Sequence, residues 1–165
     1  MAENKTLNDY VAVYKKLLAE GEVSVAYERL CKYVAALKAQ FAKQTAGQYF
    51  CGNVSPGYMD FTYFSFFDEF LRGKKLRFGI VLNHREMRFE LWLMGQNRQE
   101  QLRYWELLKG TKWNEGRKSM PRYSVLETVL IDTPDFNRLP ALTAEITRRA
   151  VGAAGEIQAF LESLK

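Results

Sequence analysis

Histidine is almost missing from this chain: His84 is the one imidazole among 165 residues. A zinc site built from several histidines is thereby excluded, and Cys31 and Cys51, far apart in the sequence, do not replace them. A serine or cysteine nucleophile served by a histidine base is disfavoured as well, because His84 falls at a tight turn with no partner motif. Neither G-x-G-x-x-G nor G-x-x-x-x-G-K-[ST] occurs, so dinucleotide and Walker-type nucleotide binding have no support. No metal and no cofactor is expected. Apolar runs stay well short of the ~20 residues that cross a membrane. Two cysteines fit a reduced cytoplasm better than a disulfide scaffold. The polar start, MAENKTLNDY, has no basic segment followed by an apolar block, so no secretory signal is expected and the protein is expected in the cytoplasm.

What is present is the composition of a globular chain. Apolar residues make up 47% and aromatics 14%, which argues against disorder. The length predicts one domain over residues 1–165. The net charge of +5 is unevenly spread: Arg72 to Arg122 carries thirteen Lys/Arg against five Asp/Glu, and the rest eleven against fourteen. Such a basic middle is either a solvated surface or the footprint of nucleic acid or another polyanion.

The clearest pattern is a hairpin. Leu76, Phe78, Ile80 and Leu82 alternate with Arg77, Gly79, Val81 and Asn83; Met87, Phe89, Leu91 and Leu93 alternate with Arg88, Glu90, Trp92 and Met94. A loop of two residues (Arg85, Glu86) or four (His84 to Met87) gives one register, with Asn83 opposite Arg88 and Ile80 opposite Leu91. The missing Asn-Gly signal favours four. Gly79 then faces Trp92, whose indole could lie over it.

Around the hairpin, Thr6 and Asp9 predict a capped helix with Leu7, Tyr10, Val11, Tyr14, Leu17 and Leu18 as its apolar stripe, read as core. Gly21 ends it, and a second helix over about Ser24 to Lys43, with Val23, Tyr27, Leu30, Val34, Leu37 and Phe41 as its apolar seam, makes a helical hairpin. Gly47 to Gly57 turns the chain into an aromatic strand, Tyr58 to Phe67, covered on both sides. One helical turn over Asp68 to Lys75 precedes the hairpin. Asn97 caps the next helix, with Leu102, Trp105 and Leu108 on its apolar side. Thr111 to Arg122 reads as a long basic loop, and Tyr123 to Asp132 as a fourth strand in a central or covered position. A long helix from about Pro140 closes the chain, with Leu142, Ile146, Ala150, Ala153, Ile157, Phe160, Leu161 and Leu164 as its apolar stripe and Gly152 and Gly155 permitting close approach by another element. The expected fold is α+β: a helical hairpin, a three-stranded meander, a crossover helix, a fourth strand and a C-terminal helix, with helices packed on one mixed sheet.

Candidate site residues follow from charge and odd placement. Asp60 and Glu90 are acids set among hydrophobes, each read first as paired with Arg77 or Arg88 and otherwise as a functional carboxylate. Arg77, Arg88, Arg98 and Arg103, with Lys112, Trp113 and Arg117 from the loop, are the candidate ligand-binding set. Trp113 equally serves as a pin holding the loop to the body. The stretches YMDFTYFSFF, KLRFGIVLNH, RFELWLMGQNRQEQLRYW and the strand before DTPDF resemble an uncharacterised bacterial family, a domain of unknown function. That resemblance implies a cytoplasmic bacterial protein and assigns no activity. The element order also resembles the PD-(D/E)xK nuclease-like fold, whose acid-x-lysine is broken here, since Glu90-Leu91-Trp92 lacks the lysine. The leading expectation is a non-enzymatic binding protein with nucleic acid or another polyanion as partner. A divalent-metal nuclease using Asp60 and Glu90, and a homodimer joined through exposed aromatics, are the alternatives.

Overall fold

The computed structural model describes residues 4–164; residues 1–3 of the polar start and residue 165 lie outside them. The chain divides into two compact units after Tyr33.

The first unit holds α1 (Leu7–Glu20) and the opening of α2 (Glu22–Gln44). Thr6 and Asp9 form the expected capping box: the Thr6 hydroxyl accepts from the Asp9 amide, and the Asp9 carboxylate accepts from the Thr6 amide and hydroxyl. Gly21, at φ +86°, supplies the left-handed residue that ends α1. The stripe of α1 is not core. Leu7 is 77% exposed, Tyr10 and Tyr14 are 60% exposed, and no residue of α1 is buried. Periodicity establishes that a helix has an apolar side, not that something covers it.

The second unit is built on a five-stranded sheet in the order β1 (Phe50–Cys51), β2 (Phe61–Phe67), β3 (Leu76–Asn83), β4 (Arg88–Gly95) and β5 (Leu126–Ile131). The turn between β3 and β4 has four residues, and the register is the expected one, with Asn83 opposite Arg88 and Ile80 opposite Leu91. That register sends Phe64, Phe66, Phe78, Ile80, Leu82, Phe89, Leu91 and Leu93 to one face, where all are essentially fully buried. The end of α2 brings Phe41 against Phe64 and Phe66, at ring separations of 5.6 and 4.8 Å. The last helix, α5 (Leu139–Ser163), buries Leu142, Ile146, Ala150, Ile157 and Leu161, most of the stripe expected of it. Gly152 and Gly155 face open space, so neither marks a close approach.

The α+β class and the order of the main elements stand; the details of the sheet differ. Every strand pair is antiparallel, so the sheet is not mixed. After β4 the chain leaves through a helix, α4 (Arg98–Leu108), that follows the short α3 (Glu69–Gly73), and the segment beyond it returns to the end of β4, where Leu126 pairs with Leu93. An out-and-back excursion of this kind re-enters antiparallel, where a true crossover would arrive parallel. β5 is consequently an edge strand, not a central one, and the likeness to the nuclease-like fold finds no support. The intervening α3 (Glu69–Gly73) is the expected single turn, capped by Asp68. α4 turns Gln101, Tyr104 and Leu108 inward and leaves Leu102 and Leu107 nearly half exposed. Specific partners decide this: the Tyr104 hydroxyl donates to the Lys74 carbonyl at 2.9 Å, and the Gln101 side-chain oxygen accepts from the Gly95 amide.

Burial separates the two helical stripes energetically. Leu37→Ala, at a fully buried position, is expected to cost about 2–5 kcal/mol. Leu7→Ala, at a position 77% exposed, is expected to cost less than about 0.5 kcal/mol. Urea unfolding of the two variants checks the difference.

Candidate functional site

The second sheet face carries its own small cluster. Val81, Trp92 and Met94 are buried there, with Phe61 and Tyr63 packed against them. Gly79 makes room for it: a Cβ at that position would stand 2.7 Å from the Met94 methyl, so the close neighbour is Met94 and not the Trp92 indole. Phe61 meets the Trp92 ring edge-on at 4.8 Å, and Tyr123 lies beyond Phe61 at 6.2 Å.

Glu90 sits beneath this cluster, and its position explains its burial. The carboxylate accepts from Arg88 Nε at 2.7 Å, Trp92 Nε1 at 2.8 Å and Asn83 Nδ2 at 3.1 Å. Only 2% of its side chain is exposed. A buried charge held by three donors is a structural pin, and Arg88 is committed to it. Asp60 lies just before β2 rather than within it. Its Oδ1 accepts from the Tyr58 and Phe61 amides at 2.8 and 2.7 Å, and these bonds hold the carboxyl below the usual carboxylate range. Neither Arg77 nor Arg88 pairs with it. The same loop is fixed at Gly57, where φ is +71° and a Cβ would stand 2.2 Å from the Phe61 carbonyl oxygen. It presents Tyr58, 95% exposed, beside the cluster.

Three hollows that share lining residues lie here. The central one, about 450 Å³, has Tyr58, Tyr63 and Tyr123 among its walls and Arg77, Arg98 and Arg122 around them. A smaller one of about 180 Å³ shares Arg77 and adds Arg72 and Lys75. A third of about 420 Å³ shares Phe61, Arg122 and Tyr123 and adds Arg85, Glu86 and Glu127. Among the described residues, no ion pair engages Arg72, Arg77, Arg85, Arg98 or Arg122, whereas Lys75 reaches Glu100 at 3.6 Å. Arg122 lies over the Tyr123 ring at 5.1 Å. In the third hollow burial pushes the Glu127 carboxyl up, against the pull of the Ser124 hydroxyl and of Arg117.

Of the candidate set, Arg77, Arg98 and Asp60 come together in the central hollow. The other residues lie apart from it and have partners. Arg103 pairs with Glu100, Lys112 with Glu156 and Arg117 with Glu127, at 3.3, 3.3 and 3.4 Å. Trp113 packs edge-on against Phe160 of α5 at 5.6 Å with Lys112 above it, which pins its turn to the helix. Arg122, which the sequence marks only as the last cation of the basic Trp113 loop, and Tyr123, which it does not mark, also line the central hollow; the signal is a basic-aromatic pair where that loop ends. Among the described residues no group of three or more His, Cys, Asp and Glu side chains could hold a metal ion. Among them, too, no helix is long and apolar enough to cross a membrane.

His84, in the β3–β4 turn, braces the rim. Its amide donates to the Asp60 carbonyl at 2.9 Å, and its Nε2 lies 2.7 Å from the Thr62 hydroxyl. That hydroxyl spends its proton on the Pro56 carbonyl at 2.7 Å, so Nε2 carries the hydrogen and donates to it.

A family model described as a domain of unknown function (DUF7000) matches residues 7–161. No curated protein and no solved structure matches the chain.

Two outcomes test this geometry. Glu90→Leu, which strands the Arg88, Trp92 and Asn83 donors, is expected to destabilise by about 3–5 kcal/mol in chemical denaturation. Burial lowers the His84 pKa in the fold, against a smaller opposing pull from Asp60. The unfolded ring therefore binds its proton first as pH drops below about 6.5, and stability falls with it. Comparing unfolding midpoints at pH 7.5 and 5.5, the acid loss is expected to be smaller in His84→Gln than in the wild type.

Proposed function

The chain belongs to the DUF7000 family, a domain of unknown function, and for it we propose a non-enzymatic binding role whose ligand is single-stranded nucleic acid. The observation that carries this reading is the run of hollows joined through shared arginines, Arg77 on one side and Arg122 on the other. Guanidinium groups without carboxylate partners are suited to phosphate oxygens. Exposed tyrosine rings between them are suited to flat bases. A duplex keeps its bases stacked inside and offers nothing to Tyr58 and Tyr123, so the single strand fits better.

Binding without cleavage is supported by the state of the two acids. Glu90 is taken up by three donors, and Asp60 is turned onto the amides of its own loop. Neither is presented as an open ligand pair for a hard cation.

Fluorescence anisotropy with short labelled oligonucleotides over roughly 50 to 200 mM salt tests the proposal. Single strands are expected to bind more tightly than duplexes, with a slope of log affinity on log salt of about −2 for three phosphate contacts. Arg77→Ala and Arg98→Ala should each remove about 0.7 of that slope, and Arg103→Ala should leave it unchanged. With magnesium added, the strand should remain intact. Absence of binding at low salt, or equal capture of heparin and oligonucleotide, overturns the reading.

A further inference from the structure

The three hollows differ in chemistry. Around Arg72, Arg77 and Arg98 the only acid on the walls is Asp60, whose Oδ1 is held by backbone amides. The third hollow sets Arg85 and Arg122 against Glu86, Glu127 and the same Asp60. A phosphate is drawn to the first two and repelled from the acids of the third, so a strand is oriented with backbone along Arg77 and Arg98 and a base toward Glu127.

Glu127 is placed to read that base. It stands opposite Trp92 in the β4–β5 pairing, with 20% of its side chain exposed. One carboxylate oxygen accepts from the Ser124 hydroxyl at 2.8 Å, and the other from Arg117 at 3.4 Å. These two bonds fix the orientation of the carboxylate and leave acceptor positions open, since a carboxylate has about four. The neighbouring Asn83 is spent, its amide nitrogen on Glu90 and its oxygen on the Glu86 amide. Glu127 is thus an oriented, largely buried acceptor beside the exposed Tyr123 ring and Arg122. A carboxylate so placed accepts from the exocyclic amine of cytosine and meets only a carbonyl oxygen at the matching position of thymine.

Resting on the binding reading above, we infer that the third hollow is a base-selective subsite, in which Glu127 favours an amine-bearing base over thymine or uracil. The preference comes from the unfavourable pairing of two acceptors as much as from the favourable bond. Arg77 and Arg98 set the salt dependence, and Glu127 sets the base preference.

Labelled oligo(dC) and oligo(dT) of equal length, compared by anisotropy at pH 7.5 and low salt, test this. The wild-type protein is expected to bind oligo(dC) roughly ten-fold more tightly. Glu127→Gln is expected to erase that preference while keeping the salt slope, because the amide offers both a donor and an acceptor. Arg98→Ala is expected to lower the slope and keep the preference. Equal binding of the two oligomers by the wild-type protein with a steep salt slope overturns the base subsite and leaves the binding proposal standing. Absence of binding to both overturns the two together. A preference that survives in Glu127→Gln overturns the role of Glu127, and the wild-type comparison decides the subsite even if that variant fails to fold.

Discussion

The register between β3 and β4 is the constraint on which the second unit depends. With side chains alternating at a period of two, one alignment sends Phe78, Ile80 and Leu82 with Phe89, Leu91 and Leu93 to the helix-covered face. A slip of one residue would turn one strand's set over and drive either Arg77 or Arg88 into that core. The same alignment assembles the opposite face. It sets Val81 beside Glu90 and Gly79 beside Trp92, and leaves space over Gly79 for the Met94 methyl. The Glu90 carboxylate then locks Arg88, Asn83 and Trp92 into one network. Core and cleft are two consequences of one pairing.

Charge on this molecule separates into spent and unspent groups. Arg88, Arg103, Arg117 and Lys112 each have a carboxylate, two of them reaching across to β5 or α5. Arg77, Arg98 and Arg122 surround an aromatic hollow and, among the described residues, have none. Exposed ion pairs contribute little stability, so the pairing matters more for where the unpaired cations are left. They are left along one connected surface, next to tyrosines that the Gly57 and Asp60 turn holds in place.

The segment between β4 and β5 follows the same logic of specific partners. α4 is turned by Tyr104 and Gln101, which have backbone partners, at the expense of Leu102 and Leu107. Trp113 closes the excursion against Phe160. Glu127 ties the returning chain down through Ser124 and Arg117, and so faces the third hollow in a fixed orientation.

Local pattern was enough to determine the hairpin, its register, the capping of α1 and most of the buried side of α5, and the missing Asn-Gly signal favoured the four-residue turn, because each depends on residues close in sequence. It also identified Arg77, Trp92 and Met94 as sharing a face. Only the tertiary structure decided which apolar stripes are covered, since the stripe of α1 resembles those of α2 and α5 and yet remains exposed. Only it decided the partners of the charges: Asp60 turned to its own amides, Glu90 collected three donors, and Arg122 and Tyr123 came to line one hollow with Arg77. Covering and pairing are long-range events, fixed by which elements meet in space, and a single sequence records the valence of a side chain without recording its partner.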